Sequence, residues 1–237
     1  MKTDLFAAPS DASMTVFEAI YSLRATRIYE DRPIPADVIH QIVQAGTMAC
    51  SSGNTQPWEF VVVTERDLKE RIKAHMVDAF STIDAERAQK PEQLVDGVGR
   101  PITGHAAVEH LDTVPMMVVV CWNPERGVRM KGEYETNLDG TLRETRVIPG
   151  GRGVSLFQAC QNMMLAGRAL GVSSLFTTFF FLRNDEIKAI LGIPPHIFME
   201  CAVFFGYGEE KLGKPRRKPL AEVAHINGWG NPYQITN

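Results

Sequence analysis

Hydrophobic residues recur at helical spacing in several stretches of the chain. This spacing predicts helices over 16–23, 36–49, 67–80 and 154–170, and a short one that begins at 184 or 185. Thr15 and Glu18 match a capping box that opens the first helix, and Gly171 ends the fourth. Val154 and Phe157 lie on the apolar stripe of that fourth helix, so we expect them to face the core.

Other hydrophobic runs are too short for helices and are typical of strands. They lie at 59–63, 114–121, 175–181 and 201–205. The run at 114–121 does not alternate with polar residues, which predicts a strand buried on both faces. Asn137 to Gly140, between Tyr134 and Leu142, indicates a hairpin. No repeat or composition shift marks a second domain, so we predict one α+β domain over 15–237 after a flexible tail over 1–14.

The composition excludes several classes of protein but does not indicate a particular chemical reaction. Hydrophobic residues at 44% and charged residues at 22% are ordinary globular values, and a net charge of −3 gives no general attraction to nucleic acid. No apolar run reaches the roughly 18–20 residues that cross a bilayer. The four cysteines lie far apart and three of them sit in apolar runs, which favours free thiols in a cytoplasmic protein. We therefore expect no metal site and no nucleic-acid or membrane partner.

Two local patterns point toward a ligand. Between Cys50 and Trp58, small hydroxyl and amide residues join a helix to a strand with little side-chain bulk above the backbone. Arg24 and Arg27 follow the first helix and offer guanidinium groups that suit a phosphate. A planar ring that carries a phosphate fits both patterns. The alternatives are a plain turn for the first and cations that complement a helix dipole for the second.

Side-chain catalysis has little support in the sequence. The six histidines are scattered without zinc or dyad spacing, and no serine elbow or carboxylate pair is present. Gly150 to Gly153 precedes a helix but lacks the remaining features of a nucleotide-binding loop, so we interpret it as a turn. These observations favour a protein that borrows its reactivity from a bound cofactor.

Four segments in order resemble the FMN-dependent nitroreductase family. Arg24 to Pro35 and Ser51 to Val63 are similar to its N-terminal signature, 161–172 to its long central helix, and 206–223 to its C-terminal pattern. The resemblance implies an α+β fold with a mixed, mostly antiparallel sheet flanked by helices, in an intertwined homodimer with two FMN sites at its interface. It also implies a ping-pong reaction, in which NADH or NADPH reduces the flavin and an electron-poor small molecule, such as a nitroaromatic or a quinone, then takes the electrons.

The same resemblance implies a set of cofactor-binding residues. Arg24 and Ala25 are expected at the FMN phosphate, and Arg27 near the N1–C2=O edge of the ring. The N5 side is expected to be flanked by Leu175, Thr177 and Thr178. Residues expected to reach the ring from the second subunit are Cys50, Ser51, Ser52 and Asn54, and those expected to close over the phosphate are Arg216 and Arg217.

Departures from the family pattern and other activities remain open at this point. Leu23 stands where many members carry an arginine, and Cys50 replaces a usual proline. Related flavin enzymes carry out reductive dehalogenation, dehydrogenation or flavin breakdown, and a non-catalytic flavin-binding protein is a further alternative. Loops over the flavin select substrates, so the polar segments 81–110 and 122–150 are expected to decide among these.

Overall fold

The computed structural model of the chain describes residues 14–89, 108–126, 134–136, 142–144, 154–208, 215 and 217–233. The helices are α1 (Val16–Ser22), α2 (Ala36–Thr47), α3 (Arg66–Gln89), α4 (Val154–Ala169), α5 (Asn184–Leu191) and α6 (Leu220–Val223). The strands are β1 (Trp58–Val63), β2 (Met116–Trp122), β3 (Tyr134–Thr136), β4 (Leu142–Glu144), β5 (Ser173–Thr177) and β6 (Phe198–Gly206). Single 3₁₀ turns lie at Ser52–Asn54, Leu111–Thr113 and Phe179–Arg183.

A four-stranded sheet in the order β1-β2-β6-β5 organises the chain, and every neighbouring pair is antiparallel. An isolated parallel bridge between Ala25 and Ser174 adds the mixed character that the resemblance implied. The strands β3 and β4 form a separate antiparallel hairpin, which confirms the predicted excursion. The α+β prediction is therefore correct.

Helices cover both faces of the sheet. One core cluster joins α3 and α5 to the sheet through residues such as Ile72, Phe80 and Ile187. The second joins α2 and α4 to the opposite face through residues such as Ile42 and Met163. Between the two layers, Met116 to Cys121 in β2 are fully buried, which confirms the prediction of a strand buried on both faces.

Two predicted apolar stripes face the core only in part. In α1 the buried residue is Ala19, whereas Phe17 and Tyr21 are 67% and 73% exposed. In α4, Val154 and Phe157 are exposed, and the buried residues are Leu156, Ala159, Cys160, Met163 and Gly167. Helix α4 is apolar around much of its circumference, so its hydrophobic pattern does not select one face, and contact with the sheet and α2 makes the choice.

Other sequence predictions fare better. Helix α5 ends at Gly192, which has a left-handed φ of 65°. All four cysteines are free; Cys121, Cys160 and Cys201 are buried, and Cys50 is exposed. Burial raises the pKa of the Cys121 thiol to about 12, so this thiol stays neutral at physiological pH. No helix among the described ranges is both long and apolar enough to span a bilayer.

Several predicted features lie partly or wholly outside the described residues. These are the tail over 1–13, the glycine turn over 150–153, Arg216, and most of the segments 81–110 and 122–150. Within the segment 81–110, the helix α3 continues to Gln89.

Gly206, at the end of β6, allows two rings to approach the backbone. A Cβ atom there would lie 2.7 Å from Pro115 Cδ and 2.7 Å from Tyr29 Cδ1, and neither rigid ring can yield easily. We expect Gly206→Ala to lower the free energy of unfolding by about 1–3 kcal/mol, measured by urea denaturation. Gly228→Ala is the control, because its Cβ would meet only Asn231 Nδ2 at 3.5 Å. Equal stability of the two variants would contradict the crowding at Gly206.

Candidate cofactor site

The segment that carries the two candidate arginines is held against β5 by backbone pairing. Ala25 forms its parallel bridge with Ser174, and Thr26 N donates a hydrogen bond to Ser174 O at 3.0 Å. Thr26 is 1% exposed, so its side chain packs into the protein. The next residue, Arg27, is exposed. The pairing therefore fixes the backbone between a helix end and the sheet while it directs Arg27 outward.

A second set of contacts holds the far end of the same segment. Tyr29 pairs with Gly208 across an antiparallel bridge, and Glu30 N donates to Tyr207 O at 2.8 Å. The buried Tyr29 hydroxyl donates to Thr26 O at 2.6 Å. The Arg32 guanidinium carbon lies 3.3 Å from the centroid of the Tyr207 ring, in a cation–π contact. Residues 25–30 thus run across the ends of β5 and β6 as a rigid ledge.

Arg24 lies where α1 meets this ledge. Its Nη1 donates to Leu23 O at 2.5 Å and to Tyr21 O at 3.1 Å, so the guanidinium caps the carbonyl end of the helix. The alternative interpretation of Arg24 as a helix-end cation therefore describes a real contact. It does not exclude a phosphate, because a guanidinium has five N–H donors in a planar fork.

The predicted flavin wall after α2 is a compact turn with a bare backbone. Gly53, Asn54 and Gln56 have positive φ values of 59°, 53° and 47°. Ser51 Oγ accepts a hydrogen bond from Gln56 N at 3.0 Å, and Gln56 Nε2 donates to Asn54 Oδ1 at 3.2 Å. Ser52 to Asn54 are exposed, and a Cβ at Gly53 would meet no atom nearer than 3.8 Å. The turn therefore presents an open polar face.

Residues after β2 hold the C-terminal end of this turn. Asn123 N donates to Pro57 O at 2.7 Å, and Asn123 Nδ2 donates to Glu59 Oε1 at 3.0 Å. Arg126 Nη2 donates to Trp58 O at 3.0 Å and pairs with the Glu59 carboxylate. No pattern in the sequence pointed to Asn123 or Arg126, because only the β1–β2 pairing brings residues so far apart in sequence together.

The third predicted group, on β5, is mostly committed to the core. Leu175 is 5% exposed and Thr177 is 9% exposed, whereas Thr178 is exposed. Thr177 Oγ1 accepts a hydrogen bond from Phe179 N at 3.3 Å at the start of the following 3₁₀ turn. Thr178 is therefore the most accessible of the three, at the point where the chain leaves β5.

The structure brings some predicted residues together and separates others. Arg24 to Arg27 lie beside β5 because Ala25 pairs with Ser174. Ser51 to Asn54 precede β1, which is the opposite edge strand. Three inter-strand spacings of about 4.8 Å put these edges roughly 14 Å apart. One chain therefore does not bring the 51–54 turn against the β5 group across the sheet.

The C-terminal segment is an exposed arm. Arg217 lies on the exposed stretch that leads into α6, and Arg216 is outside the described residues. His225 bridges to Pro232 and its ring lies 4.5 Å from that of Trp229. Trp229 is nonetheless 92% exposed, and Leu220, Val223 and Ile226 are also exposed. Such an apolar arm is typical of a segment that another surface covers.

Comparison with known proteins identifies the class of this chain. Its sequence matches the nitroreductase family over residues 20–207, so the chain belongs to the nitroreductase family. It is 27% identical over 195 residues to a protein of Archaeoglobus fulgidus that is provisionally named NADH dehydrogenase/NAD(P)H nitroreductase, with 81% of this chain and 84% of that protein covered. It is 22% identical to human iodotyrosine deiodinase 1 over 89% of this chain and 68% of that protein.

Solved structures show the same fold. The NADPH:FMN oxidoreductase of Vibrio harveyi, complexed with NAD⁺, superposes with a TM-score of 0.64 at 18% identity, over 94% of this chain and 79% of that one. An FMN-dependent nitroreductase of Clostridium difficile gives a TM-score of 0.61 at 16% identity, over 90% and 99% of the two chains.

The residues present fit an FMN group. Arg27 on the ledge and Arg24 beside it supply the charge and the donors that a phosphate requires, and backbone pairing holds the ledge in place. The 51–54 turn supplies an open face with no bulky side chain. Within the described part of the chain, no group of His, Cys, Asp and Glu side chains could hold a metal. The donor set therefore suits an anionic organic cofactor.

Cys50, the exposed thiol beside the turn, tests whether the turn faces the cofactor. We expect FMN to slow alkylation of Cys50 by iodoacetamide at least several-fold, because a covered thiol is less accessible. Peptide mass spectrometry of apo and FMN-loaded protein measures the rate. A Cys50→Ser variant, which should show no rapid labelling, identifies the reacting site. Equal rates of Cys50 alkylation with and without FMN would place the turn away from the cofactor.

Proposed function

We propose that this chain is an FMN-dependent NAD(P)H oxidoreductase that reduces nitroaromatics, quinones or similar electron-poor small molecules in a ping-pong reaction. Membership of the nitroreductase family supports the class of activity. The observation that carries the proposal is the arginine ledge, which backbone pairing holds against the start of β5. FMN, when bound, supplies a ring that accepts a hydride and passes electrons on.

The chain's own residues bind and orient that group. Arg24 and Arg27 supply positive charge, and the paired backbone at Ala25 and Thr26 holds them without a cost in ordering at the moment of binding. Arg27 would stabilise the negative charge of the reduced ring. The turn over 51–54 would cover the ring with backbone and small polar groups.

The geometry of the two walls supports a homodimer. The 51–54 turn lies at one sheet edge and the ledge at the other, so a second subunit supplies the missing wall of each site. Large apolar side chains on α1 and on the C-terminal arm, including Phe17, Tyr21 and Trp229, are exposed in the single chain. Burying such area between subunits stabilises an obligate dimer. The free thiols favour a cytoplasmic location.

Reductive dehalogenation is the second candidate, because several relatives are iodotyrosine deiodinases. The alternative shares the FMN site and differs in the substrate-contacting loops. An assay for iodide release from mono-iodotyrosine under reducing conditions separates the two. Iodide release faster than nitro-compound reduction would favour the dehalogenase.

An anaerobic absorbance titration tests the leading proposal. Purified protein should be yellow, bleach with NADH or NADPH, and regain its colour when a nitroaromatic or a quinone is added. A protein that binds no FMN would contradict the proposal. A protein that binds FMN but shows no turnover with any donor and acceptor would instead indicate a non-catalytic flavin-binding role.

Substitution of each arginine separates its role. Arg24→Gln should weaken FMN binding by about tenfold or more, because a charge-assisted contact to the phosphate contributes about 1.5–3 kcal/mol. Arg27→Gln should lower the flavin midpoint potential by about 30 mV, which equals about 1.4 kcal/mol for a two-electron couple. Fluorescence titration and spectroelectrochemistry measure the two effects.

Arg71→Gln is the matched control, because Arg71 is an exposed arginine on α3, a helix packed on the sheet far along the chain from the ledge. It should change neither the FMN affinity nor the potential. Arginine variants that behave like this control would remove Arg24 and Arg27 from the site.

A further inference from the structure

Arg168 makes a long-range hydrogen bond that the proposed chemistry does not use. It lies in the last turn of α4, is partly buried, and donates from Nε to Ser22 Oγ at 2.9 Å. Ser22 is the last residue of α1, and its hydroxyl in turn donates to Glu18 O at 2.6 Å. A hydroxyl that accepts one hydrogen bond and donates another has a fixed orientation. Arg168 therefore fastens the C-terminal end of α1 to α4.

Among the described residues, helix α1 buries little of its own surface. Ala19 is its buried residue, and Val16, Phe17, Ile20 and Tyr21 are all exposed. A helix of seven residues with so little buried apolar surface gains little from packing. Hydrogen bonds to the rest of the chain therefore contribute strongly to the position of the C-terminal end of α1.

The fastened end leads directly into the arginine ledge. Leu23 is the C-cap of α1, and Arg24, the first cation after the helix, donates to Leu23 O. Two residues after Leu23, Ala25 is already bridged to Ser174. Arg24 thus sits between two fixed points, Ser22 held by Arg168 on one side and Ala25 held by β5 on the other.

We propose that Arg168 is a positioning residue for phosphate binding, which acts through Ser22 to fix the backbone that presents Arg24. The inference rests on the proposed function, because it assigns a role within the same FMN site. Arg168 does not contact the cofactor in this account. Its effect reaches the cofactor through the Ser22 hydroxyl and the end of α1.

A double-mutant cycle tests the route. Arg168→Met removes the donor and keeps an unbranched stem, and Ser22→Ala removes the acceptor from the exposed helix with little threat to folding. FMN and riboflavin are titrated into the apoproteins by flavin fluorescence. We expect each single variant to weaken FMN binding by about three- to tenfold, and the double variant to lose no more than the larger single loss. The affinity for riboflavin, which lacks the phosphate, should fall much less in these variants. A Ser22→Thr variant should retain wild-type FMN affinity.

Three results would overturn the inference. If Ser22→Ala bound FMN like the wild type while Arg168→Met did not, Arg168 would act on the ligand directly. If both singles bound FMN like the wild type, the link would have no bearing on the site. If the affinities for FMN and for riboflavin fell by the same factor, the hydrogen bond between Arg168 and Ser22 would serve the fold alone. Wild-type protein that bound no FMN would overturn the proposed function as well, whereas the three results above leave that function standing.

Discussion

Backbone pairing between residues 25–30 and the ends of β5 and β6 is the constraint on which the candidate site depends. Thr26 N bonds to Ser174 O and Glu30 N bonds to Tyr207 O, so an irregular segment is held as firmly as a strand. Buried backbone groups must find partners, and the two contacts meet that requirement on opposite sides of Tyr29. Gly206 and Gly208 make the approach possible, because a Cβ at either position would collide with Tyr29 or Thr26. This pairing sets the backbone positions of Arg24 and Arg27.

The order of the strands has an equally direct consequence for function. Because β1 and β5 are the two edges of the sheet, the open turn over 51–54 and the arginine ledge lie on opposite sides of it. The proposed homodimer resolves this separation and covers the exposed apolar residues of α1 and the C-terminal arm, Trp229 among them. The order of the strands thus links the proposed cofactor site to the proposed homodimer.

Local patterns predicted much of the fold. The capping box at Thr15 and Glu18 is present, α4 and β2 lie where the periodicity put them, and Gly192 ends α5. The same patterns misjudged the buried faces of α1 and α4. Val154 and Phe157 are as apolar as the residues that do face the sheet, and burial was decided by the neighbouring elements. In α1, Val16, Phe17 and Ile20 are exposed, and the buried residue is Ala19.

The sequence by itself determined the elements, the arginine pair, the bare turn and the family resemblance, because each depends on residues close together along the chain. Only the tertiary structure decided which of these residues meet. Asn123 and Arg126 hold the turn, and Arg168 holds Ser22, through contacts between residues far apart in sequence. Such contacts follow from strand register and helix docking, which depend on the packing of the whole core. A local sequence pattern therefore does not predict them.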